Sequence, residues 1–252
     1  MQFTGLKDGV AIITGAASGM GQGQAVYLAR EGVKIIGLDI NEAGLEETRK
    51  KVENEAGQIE VFKVDVTDSA KLQEIVQYVI DQYGRIDILC NTAGIFDKHQ
   101  KTLEIDEAFF KRIFEVNVFP IFALCRMVLP QMLKQKKGVI LNMASLAGKS
   151  GNAGGSAYTA SKHAIYGYTK ELCVEYSGQG IRANAICPGS IWTPFIDDGL
   201  DVDGSRRLNY IPCGRLGTVD DIASLTVFLA SDQASFIQGA GISIDGGRHA
   251  KG

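Results

Sequence analysis

Short runs of apolar, largely β-branched residues recur along the chain, and longer stretches with helical spacing of apolar and polar positions separate them. Seven runs read as strands: residues 10–14, 34–39, 60–65, 86–91, 139–144, 182–187 and 241–245. Several are apolar almost throughout, the pattern of strands buried on both faces of a parallel sheet. Residues 25–31 read as a helix closed by Gly32, and residues 68–83 as one opened by Asp68 and closed by Gly84. Two longer helical stretches cover residues 106–135 and 155–177. This alternation predicts an α/β fold: a doubly wound, Rossmann-type parallel sheet of about seven strands, with helices on both faces and right-handed crossovers. No linker or internal repeat interrupts the pattern, so residues 1–252 are expected to form a single domain. The one sizeable irregular stretch, about residues 188–217, is rich in proline and glycine and reads as a substrate loop.

Composition narrows the function classes. With 45% hydrophobic residues, a 252-residue chain can bury a large core. A formal net charge of −3 offers no footprint for nucleic acid or an anionic membrane. The basic run Lys134, Lys136 and Lys137 follows a helical pattern and reads as its solvated end. No apolar stretch reads as long enough to span a bilayer. The opening MQFTGLKDG has neither the basic nor the apolar region of a secretory signal. Cys90, Cys125, Cys173, Cys187 and Cys213 sit in apolar contexts without a CxxC pair, as expected of reduced thiols in a cytoplasmic protein. His99, His163 and His249 lie far apart and show no metal-ligand spacing, so no metal is expected.

The first strand runs directly into Thr14-Gly15-Ala16-Ala17-Ser18-Gly19-Met20-Gly21. Glycines there permit a tight turn and let backbone amides approach a pyrophosphate at a helix N-terminus. Asp39 ends the second strand about twenty residues further on, where a carboxylate accepts hydrogen bonds from an adenosine ribose. Capping the next helix is the competing role, and Asn41 can perform it instead. At the other end of the chemistry, Tyr158 and Lys162 form YxxxK at helical spacing, which puts both on one face. A nearby ammonium favours phenolate, so Tyr158 is expected to trade a proton at usable pH. Tyr166 and Lys170 repeat the spacing, and context must choose between the pairs. Ser145 closes the fifth strand thirteen residues before Tyr158; alone it reads as a strand-end turn serine, and beside that pair it could hydrogen-bond a substrate oxygen. Asn117 sits inside an apolar helical pattern that Asn disfavours; a kink with a bound water would reconcile the two.

Together these motifs resemble the single-domain branch of the short-chain dehydrogenase/reductase family over essentially the whole chain. The loop at 14–21 matches that family's TGxxxGxG fingerprint, and Ser145, Tyr158 and Lys162 match its Ser–Tyr–Lys set, with Tyr166 left as core or surface. The resemblance implies four further assignments. Asp65 and Val66 contact adenine, although Asp65 could instead cap a helix. Asn91-Thr92-Ala93-Gly94 corresponds to the NNAG motif, with Thr92 in place of the second Asn, and supports sheet and cofactor through Asn91, Ala93 and Gly94. Asn117 is a fourth catalytic residue, its main chain and a water relaying protons from Lys162. Pro188, Gly189, Ile191 and Thr193, followed by Pro194, hold the nicotinamide.

The implied activity is NAD(H)-dependent hydride transfer between nicotinamide and a secondary alcohol or ketone, of 3-oxoacyl, hydroxysteroid or other type. NAD(H) is preferred over NADP(H) because Asp39 would repel a 2′-phosphate and no cation follows it: Ile40 and Asn41 come next. A non-catalytic NAD(H) sensor on the same fold is the alternative, but such proteins generally lack part of the Ser–Tyr–Lys set. Sugar-nucleotide epimerases of the longer branch need a larger C-terminal domain, and enoyl reductases of a related branch have wider Tyr–Lys spacing. The family also implies a homotetramer, with residues 237–239 and 242–245 in its last-strand contact. By family position Phe96, Gly154, Gly155, Trp192 and Phe195 are candidates for the substrate pocket or else loop anchors, and the aromatic pair Trp192 and Phe195 favours an apolar substrate.

Overall fold

A computed structural model describes residues 3–151, 153–193 and 208–251. Pro194 and Phe195 lie outside the described residues, as does much of the proposed substrate loop. Seven parallel strands form one sheet: β1 (Val10–Thr14), β2 (Lys34–Asp39), β3 (Ile59–Lys63), β4 (Ile88–Asn91), β5 (Gly138–Met143), β6 (Ile181–Pro188) and β7 (Gly241–Ile244). Their order is β3-β2-β1-β4-β5-β6-β7. The chain reverses its direction of travel between β1 and β4, and a crevice opens there beyond the carboxyl ends of the strands. β1, β4 and β5 are buried along their full lengths, as their unbroken apolar sequence requires.

Helices cover both faces and divide the core in two. On one face, α3 (Ser69–Tyr83), α5 (Phe119–Gln135) and α6 (Ser156–Tyr176) pack Leu72, Leu124 and Ile165 against Ile12, Leu89 and Ile140. On the other, α1 (Gly19–Arg30) and α7 (Val219–Ala230) pack Leu28 and Leu229 against Ile13, Cys90 and Leu141. Two further helices, α2 (Glu42–Asn54) and α4 (Glu107–Asn117), complete the set used below.

The helix expected at 25–31 begins six residues earlier, at Gly19. Its early glycines depress helix propensity but serve close packing. A Cβ on Gly21 would lie 2.2 Å from the Gly15 carbonyl oxygen, and one on Gly23 2.2 Å from Val219 Cγ1. Helix α7 was not among the helical stretches singled out from sequence. Its capping box, Thr218 with Asp221, is nevertheless a local signal. Asn41 caps α2 by accepting from the Gly44 N–H, which leaves Asp39 free of that duty.

Residues 106–135 form two helices, broken at Val118 (φ −114, ψ −56). Pro120 has no N–H to give, and the Ile121 N–H goes to the Val118 carbonyl, so the i+3 and i+4 donors are not directed at the Asn117 carbonyl. The kink expected at Asn117 is therefore present. Contrary to the expectation from composition, the segment Glu107–Gln135 is long and apolar enough to cross a membrane. Half of its most apolar window is packed inside the protein, where α5 contributes Leu124, Val128 and Met132 to the core.

Candidate active site

The crevice is a cavity of about 390 Å³. The loop between β1 and α1 forms one end. Gly15 adopts φ +70 and Gly19 φ +50, and a Cβ on Gly15 would lie 3.0 Å from the Ala93 nitrogen. Ser18 occupies the N-cap of α1 but makes no side-chain cap bond, so its hydroxyl does not cover the helix N-terminus. Ser18, Met20 and Gly21 line the cavity with these two glycines. Asp39, half-buried at the end of β2, lines it too. Both of its oxygens are held by backbone: Oδ2 accepts from the Ala17 N–H at 3.1 Å and Oδ1 from the Asn41 N–H at 2.9 Å.

Asp65 and Val66 form the adjoining wall. Asp65 accepts from the Thr67 N–H and hydroxyl, both at 2.8 Å, and these bonds hold its carboxyl below the usual range, with Arg112 adding to the effect. Capping α3 falls to Asp68, which accepts from the Lys71 N–H at 3.0 Å. From the end of β4, Ala93 and Gly94 reach the cavity. Asn91 does not line it: its amide donates to Asn142 Oδ1 at 2.8 Å inside the sheet, and Asn142 in turn donates to Thr169. Asn91 thus supports the sheet and makes no wall for a cofactor. Thr92 has its own support, donating to Gln24 Oε1 at 2.6 Å, while Gln24 donates to Thr226.

Ser145, Tyr158 and Lys162 line the same cavity. Ser145 follows β5 in extended conformation, its hydroxyl accepting from the Ala147 N–H at 3.1 Å and hydrogen-bonded to the Tyr158 side chain. Tyr158 and Lys162 come from the first turns of α6 and are 8% and 4% exposed. Burial pushes the Tyr158 hydroxyl up to about 12; the Ser145 bond opposes this and the Asp97 charge reinforces it. Lys162 is pushed by burial down to about 8. The expected lowering of the phenol by the ammonium is therefore not what this structure has. Lys162 Nζ donates to the Met143 carbonyl at 2.7 Å and stands 5.4 Å from the phenol ring centroid, so desolvation outweighs it.

The competing pair is elsewhere. Tyr166 packs against β7, where a Cβ on Gly241 would lie 2.7 Å from its ring, and exposed Lys170 sits over that ring at 4.2 Å. Asn117 lies behind Gly94, its Oδ1 3.1 Å and Lys162 Nζ 3.8 Å from where a Gly94 Cβ would be. Its side chain pairs with the Ile95 backbone, accepting from N–H at 2.7 Å and donating to C=O at 2.9 Å. Pro188, Gly189, Ile191 and Thr193 line the cavity after β6. Ile191 bridges to Gly217, and a Cβ on Gly189 would lie 2.8 Å from Asp245 Cβ.

A family model described as enoyl-(acyl carrier protein) reductase matches residues 15–249. The 3-oxoacyl-(acyl-carrier-protein) reductase FabG of Thermotoga maritima is 38% identical over 242 residues, covering 96% of this chain and 98% of that protein. Levodione reductase of Leifsonia aquatica is 37% identical over 257 residues, covering 98% of this chain and 96% of that protein. The chain belongs to the short-chain dehydrogenase/reductase family. A crystal structure of levodione reductase superposes with a TM-score of 0.91 at 36% identity, covering 97% of this chain and 98% of that one. Membership makes the protein a dehydrogenase/reductase that binds a nicotinamide cofactor and acts on a small molecule.

Within this family's frame, the structure brings in residues that sequence reading left aside. Thr14 Oγ1 accepts from the Thr92 and Ala93 N–H groups at 2.9 and 3.1 Å, tying the cofactor loop to the end of β4. Asp97, fully buried, accepts from the Tyr158 N–H at 2.9 Å across 61 residues of sequence. Neither contact leaves a periodic or local signal. Phe96 lines the cavity edge-on to Tyr158, with ring centroids 4.9 Å apart. A Cβ on Gly154 would lie 2.6 Å from the Tyr158 ring, so that glycine makes room for the phenol. Trp192, placed in the pocket from sequence, is 53% exposed and does not line the cavity, because the Ile191–Gly217 bridge seats Ile191 there instead.

Proposed function

We propose that this protein transfers a hydride between NAD(H) and a secondary alcohol or ketone, with Tyr158 as general acid/base. One observation carries the reading: the cavity that holds Ser145, Tyr158 and Lys162 also reaches the glycine loop and Asp39. The cradle suits a dinucleotide. Gly15, Gly19 and Gly21 line it without side chains, and both oxygens of Asp39, which also lines it, are fixed by backbone N–H groups. Gly15, Ser18, Gly19, Met20 and Gly21 would hold the pyrophosphate. Asp39 would take the adenosine ribose, Asp65 and Val66 the adenine, and Ala93 and Gly94 the nearby sugar. Pro188, Gly189, Ile191 and Thr193 would hold the carboxamide. When bound, the nicotinamide supplies or accepts the hydride.

The chain's own residues handle the proton. Tyr158 gives its hydroxyl proton to the carbonyl oxygen in reduction and recovers it in oxidation. Ser145 donates to the same oxygen as charge develops. The Ser145 bond opposes desolvation of the phenol, Lys162 stands 5.4 Å from its ring to pass the proton on, and the Asn117 main chain links Lys162 toward solvent. A tyrosine and lysine four residues apart, with Ser145 bonded to the tyrosine, suit carbonyl chemistry better than enoyl reduction. The apolar wall formed by Ile95, Phe96, Leu146 and Ala153 suits a mostly apolar substrate.

Residues 1–252 act as one domain in this reading, in the cytoplasm, where free thiols persist. The protein works as a homotetramer. Exposed Phe119 and Phe122 on α5 and Val174 on α6, together with β7 as the sheet's edge strand, support that assembly. The deciding experiment compares Tyr158→Phe with Tyr166→Phe in NADH-coupled ketone reduction. Tyr158→Phe should lower kcat by roughly three orders of magnitude or more with NADH binding retained, and Tyr166→Phe should change it little. Comparable losses from the two substitutions would sink the assignment.

A further inference from the structure

The N-terminus of α6 is capped from outside the helix. Its N-cap residue, Gly155, has no side chain to contribute. Asp97, in the loop between β4 and α4, takes over: Oδ1 accepts from the Gly155 N–H at 3.0 Å and Oδ2 from the Tyr158 N–H at 2.9 Å. The Gln100 carbonyl accepts from the Ser156 N–H at 3.0 Å. Residues 97–100 thereby satisfy three of the N–H groups that a helix start leaves without internal partners. The fit leaves no slack, since a Cβ on Gly155 would lie 2.4 Å from either Asp97 oxygen.

The same carboxylate also holds its own loop. Lys98 and His99 are both left-handed, at φ +52 and +61, a costly pair for residues with side chains. Asp97 Oδ1 accepts from the His99 N–H at 3.2 Å and so stabilises that turn. The turn presents Phe96 and His99 to the cavity. The Phe96 ring meets His99 edge-on at 4.8 Å and Tyr158 edge-on at 4.9 Å. One buried side chain therefore joins the tyrosine's backbone to the wall its ring packs against.

We infer that Asp97 is a positioning residue for Tyr158, setting the phenol in register with the substrate oxygen and with the Phe96–His99 wall. The inference rests on the reading of Tyr158 as the proton donor. Its charge has a second consequence, because a buried carboxylate on the Tyr158 N–H opposes formation of phenolate on the same residue. The other titratable groups near the phenol are Lys162 on α6, His99 beyond the Phe96 ring, Cys187 of β6 facing Lys162, and Arg248 in the cavity wall.

Asp97→Asn keeps the shape but turns an NH2 toward one of the N–H donors and removes the charge. Alcohol-oxidation kcat should fall on the order of 10- to 100-fold, because a displaced reacting group costs that much. The NADH Kd should stay within about threefold, since the cofactor end is untouched. The pH at which kcat/KM for oxidation rises should move down, as loss of a like charge requires. A side chain that only supported the fold would lower Tm and leave that limb in place. Unchanged kcat, or a limb that stays or moves up, overturns the inference. If Asp97→Asn does not fold, Gly155→Ala decides, because its Cβ displaces the carboxylate without removing it. Lower kcat with NADH Kd retained supports the inference, and wild-type kcat overturns it. Tyr158→Phe, assayed alongside, separates the two readings. High activity in that variant refutes the tyrosine's role itself, whereas an inactive Tyr158→Phe with normal Asp97 and Gly155 variants refutes only the positioning role.

Discussion

Replacing Asp39 with Asn tests the choice of NAD(H) over NADP(H). Backbone N–H groups of Ala17 and Asn41 hold the two Asp39 oxygens at 3.1 and 2.9 Å, so the carboxylate cannot swing away from a bulky anion beside it. A unit charge about 5 Å from another costs roughly 1 kcal/mol in water and about 3 kcal/mol at an effective dielectric near 20. Asp39 is half-buried, which places the cost between these limits at about 2 kcal/mol, and each ~1.4 kcal/mol is tenfold in affinity. NADPH should therefore bind at least about tenfold more weakly than NADH at low ionic strength, and salt should narrow the gap. In Asp39→Asn the repulsion disappears and one charged acceptor is lost, worth about 1.5–3 kcal/mol at most. NADH should weaken, NADPH should tighten, and the ratio should collapse toward unity. Titration by nicotinamide fluorescence gives both Kd values directly. Equal affinities in the unaltered protein would show that Asp39 does not face the ribose.

Three further outcomes follow from the same geometry. Lys162, held at about 8 by burial, is a destabilising group wherever it must be charged: below pH 8 the folded state carries the full cost, and as pH rises toward the ordinary lysine value the unfolded chain retains more protons, so stability increases. Lys162→Met should be inactive yet gain up to about 3 kcal/mol at pH 7, a gain that shrinks above pH 8; denaturant melts showing a constant difference across that window would refute the argument. Light scattering at micromolar concentration should give four times the 27.1 kDa chain mass, and Phe122→Glu should reduce it; a 27.1 kDa particle for the unaltered protein would exclude the tetramer. Apolar ketones should show higher kcat/KM than polyols, and the reverse order would rule out the substrate class read from Ile95, Phe96 and Leu146.

Local pattern alone determined much of this protein. Unbroken apolar runs required a sheet buried on both faces, and β1, β4 and β5 are buried throughout. Strand-to-glycine-to-helix order located the turn at 14–21, because only residues without Cβ tolerate such close backbone approach. Tyr158 and Lys162 were legible because helical spacing puts them on one face, and Ser145 because the family resemblance joined it to them. Tertiary contacts decided the rest. Asn91 turned inward to Asn142, a partner 51 residues away. Desolvation, which depends on everything packed around a group, raised the Tyr158 hydroxyl where its neighbour four residues on predicted the opposite. The break at Val118 divided one long apolar stretch into two helices, of which α5 packs into the core, and a loop carboxylate 61 residues from Tyr158 supplied the cap that Gly155 cannot. Periodicity records what a residue does within its own element; it carries no trace of a single hydrogen bond or of burial set by distant segments.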